Sequence, residues 1–284
     1  MEIKFKKMNG AGNDFIMVDN RDGSIRLTRE QIAWICDRHR GVGGDGLLLV
    51  EPAKKMREVD FRMRYYNADG GEVEMCGNGA RCFARFVQNL GWKKDRLRFI
   101  TPAGIIRATY EGEWVKINLS PPQDLNLDRN IHLSSGKQTI HTINTGVPHV
   151  ILFVEDADRA MVQPLGSEIR YHRMFQPKGT NVNFVQLKEN NSIWVRTYER
   201  GVENETLACG TGVVASAIVS HFVHRLQPPV RVKVQGGETL EVDFSTGGGS
   251  ASGGKTRGSE VTDVFLKGPA VFAFEGKLTL PKKI

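Results

Sequence analysis

The 284-residue sequence predicts a mixed α/β (α+β) fold built twice on one plan, and three observations carry that expectation. Short alternating or apolar runs broken by glycine and asparagine, the pattern of strands and turns, fill both halves of the chain. Two longer apolar stretches suit buried helices, and each is opened by a cysteine against a Gly-x-Gly turn: Cys76-Gly77-Asn78-Gly79 and Cys209-Gly210-Thr211-Gly212. The order of features in the second half repeats that of the first, which indicates a duplicated unit with one cysteine turn per copy.

The elements follow in order. Ile3–Val18 reads as a strand, a glycine turn through Asn9–Asp14, and a second strand from Phe15, with Asn13 at the turn as a turn-former or a ligand contact. Thr28-Arg29-Glu30-Gln31 is a capping box ahead of Ile32, Ala33, Ile35 and Cys36, and Gly41 after Arg38-His39-Arg40 is the expected stop. Cys36 on the apolar side is a core residue. Gly41–Gly46 is a glycine-rich loop before the strand Leu47–Val50, but it lacks the Gly-Lys-Ser/Thr ending of a phosphate loop, so nucleotide binding is not expected there. Phe61–Tyr66 alternates as a strand and turns at Asn67–Gly71 towards Cys76. Ala80, Phe83, Ala84 and Val87 then form one helical face, with Phe86 and Leu90 filling much of the rest before Gly91; Cys82 on this helix is packing.

Strands between Leu97 and Leu119 lead to Ser120-Pro121-Pro122, the expected boundary. Beyond it, Asn144–His149 precedes the strand Val150–Val154 as Asn9–Asp14 precedes Phe15–Val18, and Ile193–Tyr198 with Glu199-Arg200-Gly201 precedes Cys209 as Phe61–Tyr66 precedes Cys76. Val213–Val223 is rich in β-branched residues, yet its length and the parallel with the first half favour a buried helix. Val230–Val234 and Thr239–Phe244 form a hairpin about Gly236-Gly237, Ser245–Ser259 reads as a linker-like insert, and Val261–Leu280 returns to strands through Gly268-Pro269.

Composition narrows the function. No apolar span approaches membrane length and no leader pattern opens the chain, so a cytoplasmic protein without a membrane partner is expected. Four cysteines are too few for a disulfide-stapled scaffold, and the thiols are expected reduced. The net charge of +7 is scattered rather than gathered into a stripe, which argues against nucleic acid.

Two cysteines at two helix starts then need a chemistry. A helix start offers free N–H groups and the positive end of the macrodipole, which ease thiolate formation and hold a carboxylate. Redox pairs usually sit within one turn as Cys-x-x-Cys; metal sites need closer His or Cys neighbours, and none is expected here; a Cys-His hydrolase leaves the second cysteine unexplained. Inversion of a carbon centre accounts for both, since one group removes a proton from one face while another supplies one to the opposite face. The N–H groups around Gly77, Asn78, Gly210 and Thr211 would hold the substrate carboxylate.

The motifs MNGAGNDF, YNADG, EMCGNGARCFARF, YERG and ETLACGTG, in this order and spacing between about Met8 and Gly268, closely resemble the diaminopimelate epimerase family. Proline racemases and phenazine-type isomerases resemble the architecture but not this motif set. The resemblance implies two pseudo-symmetric lobes, each a mostly antiparallel sheet wrapped around a central helix, with a cleft between them. Residues 1–119 would form the first lobe, completed by strands at about 269–284, and residues 120–268 the second. It also implies a cofactor-independent isomerase interconverting LL- and meso-2,6-diaminopimelate in lysine and peptidoglycan precursor synthesis, with no metal, a small-molecule partner, and a homodimer as the assembly to test. Carried over by residue, Cys76 and Cys209 become the proton-transfer pair, with His149 and Glu199 in the catalytic set. Gly77, Asn78, Gly210 and Thr211 become the carboxylate cradle, and Asn13, Asn67, Asn181, Glu199 and Arg200 substrate contacts.

Two departures from the family pattern are Val147, where Asn is frequent before Pro-His, and Gly46, where Gln is frequent; each removes a polar contact. The alternatives are a racemase or isomerase of another small amino acid on this scaffold, and a non-catalytic amino-acid-binding or redox-sensing protein.

Overall fold

The computed structural model of the chain describes residues 1–53, 56–247 and 261–281, and the chain divides into two compact units, Met1–Asn118 with Gly268–Ile284, and Leu119–Lys267. In the first, β1 (Glu2–Gly10) and β2 (Asn13–Asp19) form a hairpin about Ala11 and Gly12, both at positive φ (59° and 91°), as a two-residue hairpin turn requires. The chain crosses through α1 (Arg29–Cys36) to β3 (Gly46–Pro52), parallel to β2, and returns as β4 (Phe61–Asn67) with the short β5 (Glu72–Val73) beside it. A second crossover through α2 (Gly77–Asn89) places β6 (Arg96–Thr101) parallel to β4, and β7 (Gly104–Glu111) and β8 (Trp114–Asn118) follow as antiparallel neighbours.

Parallel neighbours cannot be joined by a tight turn, so each parallel pair demands a helix over the sheet. The two helices lie on opposite faces. Ile16, Val18, Leu47 and Leu49 pack on Ile32, Ile35 and Cys36 of α1, while Phe15 and Leu48 meet α2 at Gly79. With both faces covered, the middle of β2 (Phe15–Val18) and of β3 (Leu47–Val50) is a continuous apolar run rather than an alternation.

The second unit contains β9 (Gln123–Leu133), β10 (Gly136–Asn144), β11 (Pro148–Phe153), α3 (Val162–Tyr171), β12 (Asn181–Lys188), β13 (Ser192–Glu199), β14 (Asn204–Thr206), α4 (Gly210–His224), β15 (Val230–Val234), β16 (Thr239–Thr246) and β17 (Val261–Pro269). Its pairings repeat the first: β11 parallel to β12 across α3, β13 parallel to β15 across α4, and the other neighbours antiparallel. β9 flanks β10 as the last strand, β18 (Val271–Thr279), flanks β1. The duplicated α+β expectation therefore holds strand for strand. Among the described residues no helix is long and apolar enough to cross a membrane.

Four local readings differ. α1 stops at Cys36, not near Gly41, because Asp37 turns its carboxylate onto the amides of His39 (2.8 Å) and Arg40 (2.9 Å) and draws the chain into turns. α3 carries Pro164 and Gly166 and gives no helix signal; Gly166 is demanded by the sheet, since a Cβ there would lie 2.5 Å from Cβ of Tyr198. β5 is too short to show an alternation. Ser245 and Thr246, expected in the insert, belong to β16 and pair with Thr262 and Val261; residues 248–259 of that insert lie outside the described residues.

Candidate active site

Each unit ends a strand in a turn and then starts a helix on a cysteine. Cys76 is the N-cap of α2, with extended backbone (φ −136°, ψ 126°), and its carbonyl accepts the first helical bond from Ala80 N–H at 2.8 Å. Cys209 holds the same place on α4 (φ −120°, ψ 109°), with Val213 N–H donating to its carbonyl at 2.9 Å. Neither sulfur caps its own helix. The first-turn amides of Gly77, Asn78 and Gly79, and of Gly210, Thr211 and Gly212, thus have no intrahelical acceptor, and the sulfur stands at the positive end of the helix. Cys76 is half-buried and Cys209 buried.

In the first unit a directed hydrogen-bond chain supports the α2 start. The fully buried Arg81 can only donate, and its Nη2 reaches Asn78 Oδ1 at 2.9 Å. Asn78 Nδ2 donates to Asn13 Oδ1 at 2.7 Å, and Asn13 Nδ2 donates to Asp45 Oδ2 at 2.9 Å. Asn13 is therefore tied to the helix start rather than being only a turn-former. Asp14 beside it binds Arg38 (2.6 Å) and Lys7 (2.7 Å). Burial alone would raise the Asp14 carboxyl, but hydrogen bonds and charge from Arg38 and Lys7 outweigh it and hold the pKa at about 2. Asn67 ends β4 opposite Gly46, and its backbone closes the turn with Gly70 and Gly71; among the described residues its side chain makes no hydrogen bond to this chain of amides.

The departure at Gly46 has a local packing reason. It starts β3, and a Cβ there would run into the carbonyl of Tyr66 and come 2.6 Å from the Tyr65 ring. The position has no room for a Gln side chain, so glycine here answers to strand packing.

In the second unit the register aligns His149 with Asn181 across the parallel β11–β12 pair, and Asn181 lies one residue beyond the Val182–Tyr198 pair, opposite Glu199. Three expected site residues thus stand in one row across the sheet end, about 4.8 Å from strand to strand. Asn181 Oδ1 accepts the backbone N–H of Arg200 at 2.8 Å, Glu199 Oε2 accepts Thr206 Oγ1 at 2.9 Å, and Arg200 Nη1 donates to the Lys178 carbonyl at 3.1 Å. His149 is 1% exposed. Its Nε2 is 3.0 Å from Thr211 Oγ1, which lies 3.5 Å from Cys209 Sγ. Burial, with Arg200 nearby, pushes the His149 pKa down to about 3, so the ring is neutral.

Three residues enter this arrangement that the sequence does not single out. Asn183 and Thr197 lie behind His149, and Thr145 Oγ1 donates to the Thr211 carbonyl at 2.9 Å. Asn183 leaves one trace, since it follows Asn181 at the two-residue spacing that keeps both on one face of an otherwise apolar strand. At the departure Val147, the backbone carbonyl accepts the amide of Thr145 at 3.2 Å, so the turn keeps a link towards Thr211 whatever the side chain.

The two remaining thiols differ. Burial pushes Cys36 and Cys82 up to about 12 each, and they are buried residues of α1 and α2 respectively.

Comparisons with known proteins agree with this picture. The family model described as diaminopimelate epimerase matches residues 5–123 and 141–252, which include both cysteine turns. A diaminopimelate epimerase of Aquifex aeolicus is 42% identical over 98% of this chain and 98% of its own length, and one of Chlorobaculum tepidum 40% identical over 96% and 100%. Among solved structures, a phenazine biosynthesis protein from Bacillus anthracis superposes with a TM-score of 0.68 at 18% identity, covering 99% of this chain and 100% of its own. A hydroxyproline epimerase from Agrobacterium vitis superposes with a TM-score of 0.67 at 15% identity, covering 98% and 91%. At such identities these two share the fold only. With a cysteine at the start of a buried helix in each of two like units, and full-length relatives at this level of identity, the chain belongs to the diaminopimelate epimerase family.

Proposed function

We propose that this protein is a cofactor-independent isomerase that interconverts LL- and meso-2,6-diaminopimelate, with Cys76 and Cys209 as the two proton-transfer groups. One thiolate takes the α-proton from one face of the carbon, and the other thiol gives its proton to the opposite face. The first sulfur ends protonated and the second ends as the thiolate, so the charge balances. The negative charge that spreads from the α-carbon into its carboxylate is stabilised by the first-turn amides at Gly77, Asn78, Gly210 and Thr211. Asn13, Asn67 and Asn181 offer amides, Glu199 an anion for an ammonium, and Arg200 a planar fork for the distal carboxylate. His149 and Glu199 support the proton-transfer pair. The reaction supplies lysine and peptidoglycan precursors, in the cytoplasm.

The observation that carries this reading is the repeated N-cap geometry, a cysteine whose carbonyl takes the first helical bond while its side chain makes no cap bond to its own helix. The test is incubation with LL-diaminopimelate in heavy water. Deuterium should enter at an α-carbon with formation of the meso isomer, and Cys76→Ala or Cys209→Ala should each abolish epimerisation. Near-normal turnover in either variant, or no label at the α-carbon with wild-type protein, defeats it.

A further inference from the structure

Behind Cys209 the second unit holds a run of side chains whose hydrogen-bond directions follow from one fixed acceptor, the carbonyl of Val150. The Asn183 side chain has an atom 3.0 Å from the carbonyl oxygen of Val150. A backbone carbonyl only accepts, so that atom is the amide nitrogen Nδ2. The second proton of Nδ2 faces His149 Nδ1 at 3.1 Å, while Asn183 Oδ1 is held by Thr197 Oγ1 at 3.0 Å. His149 Nδ1 must then be an acceptor, and a neutral ring carries its one proton on Nε2. Nε2–H points at Thr211 Oγ1, 3.0 Å away. A hydroxyl has one proton to give, and while its oxygen accepts from the imidazole, that proton is available to a Cys209 thiolate, which can only accept, across the 3.5 Å contact. Sulfur is a weak acceptor as a thiol and a stronger one as a charged thiolate.

We infer that Asn183 is a positioning residue: it locks the tautomer of His149, thereby makes Thr211 a donor to Cys209, and so favours the thiolate form of Cys209. The glycine of the second cysteine turn belongs to the same device. A Cβ on Gly212 would run into Asn183 Oδ1, so glycine lets the helix start settle directly over the amide. The charged groups around this chain are Arg200, which with burial keeps His149 neutral, and Glu199, whose Oε2 is engaged by Thr206.

For its consequence the inference rests on the two-cysteine reading, but its test needs no substrate. In wild-type protein carrying 15N-labelled histidine, the His149 ring shifts should report protonated Nε2 and bare Nδ1. The pH dependence of alkylation, resolved by peptide mapping, sets the wild-type reactivity of Cys209 against which the variant is compared. In Asn183→Asp the carboxylate calls for Nδ1–H, the tautomer inverts, and Thr211 turns its proton to His149. Alkylation of Cys209 at a pH below both thiol pKa values should then slow by about tenfold, the effect of one pKa unit, with Cys76 unchanged. A purely structural role would leave the tautomer and the separation of the two thiols as they are. A protonated Nδ1 in wild-type protein overturns the inference even if the variant does not fold, and so does an unchanged Cys209 rate in a folded variant. If His149 and Cys209 behave as stated but diaminopimelate takes up no deuterium, the assignment of Asn183 stands and the two-cysteine function falls.

Discussion

The four thiols should separate sharply under brief alkylation. At about pH 8 a thiol with a pKa of about 12 is ionised in roughly one molecule in ten thousand, whereas an ordinary thiol at about 8.5 is ionised in roughly a quarter. Cys36 and Cys82 belong to the first class because burial removes the water that would solvate the thiolate. Ionisation alone therefore makes them about 2,500-fold slower than an unperturbed thiol, before access is counted. Access acts in the same direction: Cys82 is fully buried, its Sγ 2.9 Å from where a Cβ on Gly10 would be, and Cys36 is packed in the core under α1. Helix-start placement should speed Cys76 and Cys209 further. The assay is iodoacetamide treatment for minutes, quenching and peptide mapping, with a urea-denatured sample in which all four thiols react alike as control. Labelling of Cys36 or Cys82 in the native protein within tenfold of the rate at Cys76 or Cys209 would refute the reasoning.

Other outcomes test other parts of the account. Arg200→Lys keeps the charge and loses the planar fork; if Arg200 reads the distal carboxylate, about 1.5–3 kcal/mol of charge-assisted bonding is at stake, and binding of diaminopimelate should weaken far more than that of an analogue lacking that carboxylate. Equal discrimination in wild type and variant rules this out. Gly46→Gln, which restores the residue frequent in the family, should destabilise the protein by about 1–3 kcal/mol through overpacking against Tyr65 and Tyr66; a denaturant midpoint at or above wild type counts against the packing argument. Asp14 has a folded pKa below its unfolded value, so its stabilising contribution is present above about pH 4 and is lost as the pH falls towards 2. Discounted for partial exposure, the contribution is about 1–2 kcal/mol, so Asp14→Asn should be less stable than wild type at pH 7 by that amount, with the difference gone near pH 2; parallel stability curves across that range would refute it.

Much of this protein is written locally. The capping box at Thr28, the apolar face Ala80-Phe83-Ala84-Val87, and the two Cys-Gly-x-Gly turns are signals carried by neighbouring residues, and the repeated order of features announces two like units. The helix at Val213–Val223 is legible only through that repeat, since its β-branched residues alone favour a strand. What the sequence leaves open depends on partners distant along the chain. α3 exists despite Pro164 and Gly166 because the surface of β13 accepts a helix whose glycine clears Tyr198, and Gly46 is glycine because of a carbonyl on the next strand. Asn183 stays hidden for the same reason. Its meaning arises only when the parallel register sets His149 beside Asn181 and the crossover helix lowers Thr211 and Gly212 onto that end of the sheet, joining residues 34 and 62 positions apart. Periodicity tells which face of a strand is buried. The direction of a hydrogen-bond chain follows from which donors and acceptors the closed fold brings within 3 Å of one another, and here only the tertiary structure decides that.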